Sequence, residues 1–162
     1  MEIKIRSGGQ SGVDRAALVT AKELGIEICG WVPKGGWAED YPESPGVLQL
    51  FEELVETPDT QPEQRTIWNV LDADITLIVH LEGSSPGTNL TLETAKTFGK
   101  PCVELKDASD IVVVFEEITA FGEKFDDGFV LNVAGPRESE WPGAYTCTSL
   151  ILCWLFLQLK ER

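Results

Sequence analysis

Apolar and polar positions along this chain switch repeatedly between a period of two and a period of about three and a half. Ile3 to Arg6 is a short apolar run, and after a glycine-rich turn Val13, Ala16, Ala17, Ala21 and Leu24 recur at helical spacing up to Gly25, a residue suited to the position just past a helix end. Ile26 to Val32 is a second apolar run, too short for another helix and followed by Pro33. Strand, helix and strand in that order predict a right-handed parallel crossover. Gln61 to Leu71 is periodic through Ile67, Trp68 and Leu71 and predicts a helix. Ile75-Thr76-Leu77-Ile78-Val79 has the composition of a strand buried on both faces. A helix follows through Leu92, Ala95 and Phe98, stopping at Gly99 before Pro101, and Pro101 to Leu105 and Phe129 to Val133 predict two more strands. The chain closes on an apolar helix. Two regions stay undecided at this level, 43–60 and 108–125. Within them, Val47 to Val55 reads as a short amphipathic insertion, and Ile111 to Phe121 mixes both signals with helix favoured. The fold class predicted is α/β with a mainly parallel sheet.

Three turns then fall at the carboxyl ends of predicted strands, where open α/β sheets place their ligands. The first, Ser7-Gly8-Gly9-Gln10-Ser11-Gly12-Val13-Asp14-Arg15, joins a strand to a helix start. Its glycines permit positive φ and close backbone approach, and the unpaired N–H groups of a helix start carry partial positive charge, so it is a candidate anion cradle. Its Gly-Gly-x-x-Gly spacing matches neither the dinucleotide fingerprint nor the P-loop. A tight turn that binds nothing is the other reading. The second turn, Glu82 to Asn89, contains Gly87 and Thr88; the third, Ala134 to Ser139, contains Gly135 and Arg137. Lys34 to Pro42 leaves the second strand as a polar and aromatic loop, either a lid or a surface loop whose Trp37 covers the sheet edge. His80, the only histidine, reads as structural.

Composition narrows the partners. At 162 residues, 43% hydrophobic and 25% charged, the chain reads as a single domain over 1–162. A formal net charge of −14 excludes the basic face that nucleic acid or anionic lipid requires. Cys29, Cys102, Cys147 and Cys153 have no metal-finger spacing and read as free thiols of a reducing cytosol. No signal peptide precedes the first strand, and Tyr145 to Leu159 is shorter than the ~20 residues of a membrane span. The expected compartment is the cytoplasm, with no membrane partner.

Arg15, Lys34, Arg65 and Arg137 all lie in or beside segments that should converge on one sheet edge, in a chain with only 13 Lys and Arg. Guanidinium forks and glycine-turn amides together suggest a multi-point anion site. Local ion pairs, Arg15 with Asp14 or Arg137 with Glu138, are the alternative. The first turn, Gly30-Trp31-Val32-Pro33-Lys34-Gly35, Gln64-Arg65-Thr66-Ile67-Trp68-Asn69-Val70 and Leu131-Asn132-Val133-Ala134-Gly135-Pro136-Arg137-Glu138-Ser139 together resemble the "putative molybdenum carrier" family. That resemblance implies a Rossmann-like, three-layer fold of the SLOG superfamily, whose other members include the cytokinin-activating phosphoribohydrolases and nucleotide-sensing domains. It also implies molybdate storage or carriage. The anion-binding set expected is Gly8, Gly9, Gln10, Gly12, Asp14, Arg15, Lys34, Arg65, Gly87, Thr88, Asn132, Gly135 and Arg137, with molybdate or a nucleotide as ligand candidates and no metal-ligating set.

The related phosphoribohydrolases carry Pro-Gly-Gly-x-Gly-Thr-x-x-Glu at the second turn. Here Pro86-Gly87-Thr88-Asn89-Leu90-Thr91 puts Thr91 where the catalytic glutamate would stand. Glu93 lies two residues on, about 200° around the helix, and should face away. No catalytic residue is assigned. The competing expectation is a nucleotide-binding enzyme using Asp14 or Glu39 as acid or base, with Asp40 a further acidic candidate; a nucleotide-sensing module is a third. Ile151, Leu152, Trp154, Leu155, Phe156 and Leu157 make the last helix apolar almost all round, which predicts a homo-oligomer.

Overall fold

The computed structural model describes residues 2–162. Twelve main elements occur in them: β1 (Ile3–Arg6), α1 (Val13–Glu23), β2 (Glu27–Cys29), β3 (Trp31–Val32), β4 (Val55–Glu56), α2 (Pro62–Leu71), β5 (Ile75–Val79), α3 (Pro86–Phe98), β6 (Cys102–Leu105), α4 (Ile111–Gly122), β7 (Phe129–Ala134) and α5 (Ala144–Lys160). Five strands form a sheet in the order β2-β1-β7-β5-β6, every pairing parallel. The last strand of the chain therefore sits at the sheet centre. The expected α/β, mainly parallel architecture is the observed one, and it is Rossmann-like.

The two faces of the sheet differ, because successive side chains of a strand point to opposite sides. Ile3 and Ile5, Ile75, Leu77 and Val79, and Phe129, Leu131 and Val133 all belong to the main apolar core, together with Leu18 of α1, Ile118 of α4 and Leu152, Leu155, Phe156 and Leu159 of α5. α1 packs on α5, and α4 against α5 and β6. Residues of the opposite parity turn away from that core: Arg6, Asn132 and Thr76 are in register across β1, β7 and β5, and Asn132 Nδ2 donates to Thr76 Oγ1 at 3.3 Å. α2 and α3, which pack on each other, cover this more polar side.

Two expectations change. The run Ile26 to Val32 is not one strand: it breaks at Gly30 into β2 and β3, and β3 pairs with β4 in a separate two-stranded sheet. Gly30 has φ of 154°, and a Cβ there would run into the Ser7 carbonyl, so only glycine permits the bend. The insertion read over Val47 to Val55 is a 3-10 turn, Gly46–Gln49, followed by β4 beginning at Val55. Region 108–125 resolves into a 3-10 turn, Ala108–Asp110, and helix α4, whose buried Val114, Phe115, Ile118 and Thr119 show the helical spacing.

Candidate functional site

All three glycine-containing turns lie together at the carboxyl edge of the sheet, after β1, β5 and β7. Ser7 Oγ donates to the Val133 carbonyl at 2.7 Å, and the Val13 N–H donates to the Pro136 carbonyl at 3.2 Å, tying the first turn to the third. Gly12, at φ 75°, packs so closely on the third turn that a Cβ would lie 2.6 Å from the Pro136 carbonyl oxygen. Glu39 adds a clamp from the 34–42 loop: it accepts from the Ser11 hydroxyl and, at 3.0 Å, from the Ser139 N–H. The second turn caps α3. Ser85 Oγ accepts the Thr88 N–H at 3.2 Å, while Pro86 occupies the first helical position.

Between these turns and α2 lies a cleft of about 190 Å³. Eight of the thirteen expected residues line it: Gly8, Gln10, Asp14, Arg65, Gly87, Asn132, Gly135 and Arg137. Arg65 reaches across from α2 so that its guanidinium lies directly over Gly8, where a Cβ would coincide with Nη1. Nη1 donates to Asp14 Oδ2 at 2.9 Å, both side chains being about one-tenth exposed, and the Arg65 Nε is buried without a partner among the described residues. The Gly8 amide likewise has no acceptor among the described residues. Gly87 stands in the first turn of α3, where backbone N–H groups have no intrahelical acceptor. Arg137 enters from the third turn, its Nε 3.1 Å from Glu140 Oε1 and its Nη1 3.8 Å from Glu39 Oε2.

Five expected residues do not line the cleft. Gly9 is at φ 73° against Val32, Val47 and Leu54. Thr88 spends its hydroxyl on Ser85 Oγ at 2.9 Å, as part of the helix cap. Lys34 is exposed on the far loop. Gly12 and Arg15 face a second, more open cleft on the other side of the third turn, where Arg15 makes a two-pronged pair with Asp40 at 2.9 and 3.0 Å and stacks 5.2 Å from the Tyr41 ring centre. Arg15 and Arg65 form ion pairs with partners distant in sequence, Asp40 and Asp14, whereas Arg137 pairs locally, with Glu140 rather than Glu138. Thr91 lines the first cleft and donates to the Gly87 carbonyl at 3.0 Å, whereas Glu93 is exposed outside it.

Burial pushes the Asp14 carboxyl up from its usual range, and the downward pull of Arg65 and of the Gln10 N–H at 3.3 Å does not offset it. Glu39 goes the other way: burial raises it, but hydrogen bonds from Ser11 and Ser139 and the charge of Arg137 outweigh that and hold it below the ordinary glutamate value. His80 lies outside the cleft, its Nε2 3.0 Å from Glu104 Oε2. Trp37, Pro62, Glu63, Asn69, Leu90 and Glu140 line the cleft without having been assigned from sequence. Asn69 has a positioning role: its side-chain amide accepts from the Trp31 N–H at 2.8 Å and donates to the Trp31 carbonyl at 2.9 Å, fastening α2 to β3. Only its place in the Gln64-to-Val70 motif marked it. Among the described residues no group of three His, Cys, Asp or Glu is placed to hold a metal ion.

A wholly parallel open sheet with glycine turns gathered at its carboxyl edge defines a Rossmann-like domain with a switch-point cleft. Residues 5–156 match the circularly permutated YpsA SLOG family, and the chain belongs to it. It is similar to a solved structure, a "putative molybdenum carrier protein" from Syntrophus aciditrophicus, at 38% identity over 95% of this chain and 94% of that one, with a TM-score of 0.80. Among curated proteins none matches.

Proposed function

We propose that this protein binds an oxyanion or a phosphate-bearing small molecule in the cleft between α2 and the three turns, and serves as a carrier or store for it. One observation carries the reading. The Arg65 guanidinium lies over the Gly8 amide and across from the first turn of α3, and neither its buried Nε nor that amide has a partner among the described residues. Charged forks and backbone donors fixed at one point are what a tetrahedral anion needs, and a cleft inside a strongly acidic molecule must supply them locally. Molybdate fits this chemistry as an oxyanion held by hydrogen bonds, and the relative's name refers to molybdenum. We place the protein in the cytosol, on its four free cysteines. No described helix is long and apolar enough to cross a membrane.

The second reading, a nucleotide-binding enzyme, draws on the carboxylates that line the cleft, Asp14, Glu63 and Glu140. It also meets Thr91 at the position of its relatives' catalytic glutamate. Thr91 offers a hydroxyl and no carboxylate, so a base-releasing hydrolase would have to draw on Asp14, Glu63 or Glu140, of which Asp14 is the most buried. Calorimetric titration with molybdate, phosphate and AMP beside a base-release assay separates the two. The expected result is anion binding without release of free base; turnover of AMP that disappears in Asp14→Asn would establish the enzyme instead.

We also propose self-association through α4 and α5. Val112, Val113, Leu150, Trp154 and Leu157 are 51%, 54%, 72%, 39% and 41% exposed, and Trp154 lies edge-on to Phe115 at 5.8 Å, which joins the two helices into one apolar face.

A further inference from the structure

The first glycine turn reads from sequence as an anion cradle, and in the structure a carboxyl group of the protein itself, that of Asp14, already sits in it. Asp14 Oδ2 accepts the Gln10 N–H at 3.3 Å and Arg65 Nη1 at 2.9 Å, and it lies 2.9 Å from where a Gly8 Cβ would be. One carboxylate oxygen thus takes donors from the turn and from the guanidinium, which is the pattern expected of a bound oxyanion. We propose that Asp14 is an internal competitor for this site, so that an external anion binds together with one proton taken up by Asp14. This rests on the anion-binding reading above.

An incoming anion recruits Arg65, and a buried carboxylate left beside a second negative charge, with its cationic partner shared or lost, is better off protonated. Once protonated, Asp14 turns from acceptor to donor and can bond the ligand oxygen instead of repelling it. The other charged groups of the cleft do not supply this switch. Glu63 and Arg65 come from α2, and Arg137 and Glu140 from the third turn, where the latter two pair with each other. Arg15, next to Asp14 on α1, is turned to Asp40. From α3 with its N-cap and from β7, the polar side chains that line the cleft are the neutral Ser85, Thr91 and Asn132. Of the carboxylates lining the cleft, Asp14 alone is ion-paired to Arg65. Burial, which already raises its proton affinity, works in the same direction.

The sign follows from linkage: if the complex holds a proton that the free protein lacks, affinity rises as pH falls, by up to about tenfold per pH unit, and levels off once the free protein is itself protonated. Sulfate is the probe, because unlike phosphate it does not titrate near neutrality. Titration of the intact protein with sulfate in buffers of different ionisation enthalpy should show uptake of about one proton, with affinity falling from about pH 5 to about pH 8. Asp14→Asn should bind sulfate more tightly than the natural protein at about pH 8, with little proton uptake and a nearly flat profile. Sulfate binding without proton uptake in the natural protein overturns the inference and leaves the anion site standing. Failure of sulfate, molybdate and phosphate alike to bind overturns both. A pH dependence that persists unchanged in folded Asp14→Asn assigns the proton elsewhere and also overturns it.

Discussion

Arg65 is the residue on which the site turns. It stands 51 positions from Asp14 in the chain, yet its guanidinium fills the space above Gly8 and meets that carboxylate at 2.9 Å. Truncation to alanine removes a desolvated, charge-assisted donor worth about 1.5–3 kcal/mol, so Arg65→Ala should weaken molybdate or phosphate binding about ten- to a hundredfold by calorimetry. Arg137 is more exposed and already shared with Glu140 and Glu39, and the corresponding loss should be smaller. Sequence made Arg65 a candidate through its motif but could not show its partner, because ion pairing across elements depends on how α2 lies over the first turn. For the same reason Arg15 and Lys34 seemed as eligible as Arg65. Nothing in their local sequence says that one turns to Asp40 and the other to solvent.

The first and third turns act as a unit, and Glu39 and Gly12 are among the residues that join them. Gly12→Ala would force a side chain into φ 75° and against the Pro136 carbonyl, costing about 2 kcal/mol or more and lowering the melting temperature by about 4–8 °C in a chain of this length. Glu39 adds a pH term. Its folded-state proton affinity is lowered, so the stability it contributes is present above the unfolded value and is lost as pH falls through the folded one; the window opens below about pH 4.5. The stability difference between the natural protein and Glu39→Gln should therefore shrink in denaturant titrations as the pH drops below that point. At this scale the strands and helices were legible because Ile75 to Val79 is a short β-branched apolar run and the α1 stripe keeps a helical period. The break at Gly30 was not, since Ile26 to Val32 alternates as a single short strand would and the reason for the bend is the Ser7 carbonyl, a contact outside the run.

For the whole molecule, the parallel sheet gives one apolar face and one polar face, and the cleft opens where the polar face meets the carboxyl edge. Sequence located that edge correctly by placing three glycine turns after strands; which of their residues line the cleft depended on packing, and Gly9 and Thr88 went to the core and to a cap. The apolar stripe of α5 was legible as excess. Its buried half fills the core and the exposed half, Leu150, Trp154 and Leu157, remains as the proposed contact between copies. Light scattering should report an oligomer at micromolar concentration, and Leu150→Glu with Trp154→Glu should give a folded monomer; a natural protein that is monomeric would remove this proposal. With a net charge of −14 on each copy, association should also strengthen with added salt.

Molybdenum's anomalous scattering makes a crystal soaked in molybdate the most direct test of where the anion sits. The expected result is a molybdate in the cleft within hydrogen-bond distance of Arg65, with the Gly8 or Gly87 amide as a second donor and Asp14 moved or bonded to it. Ordered molybdate found only elsewhere, in the Arg15 cleft or on the outer surface, with the α2 cleft empty, would contradict the account.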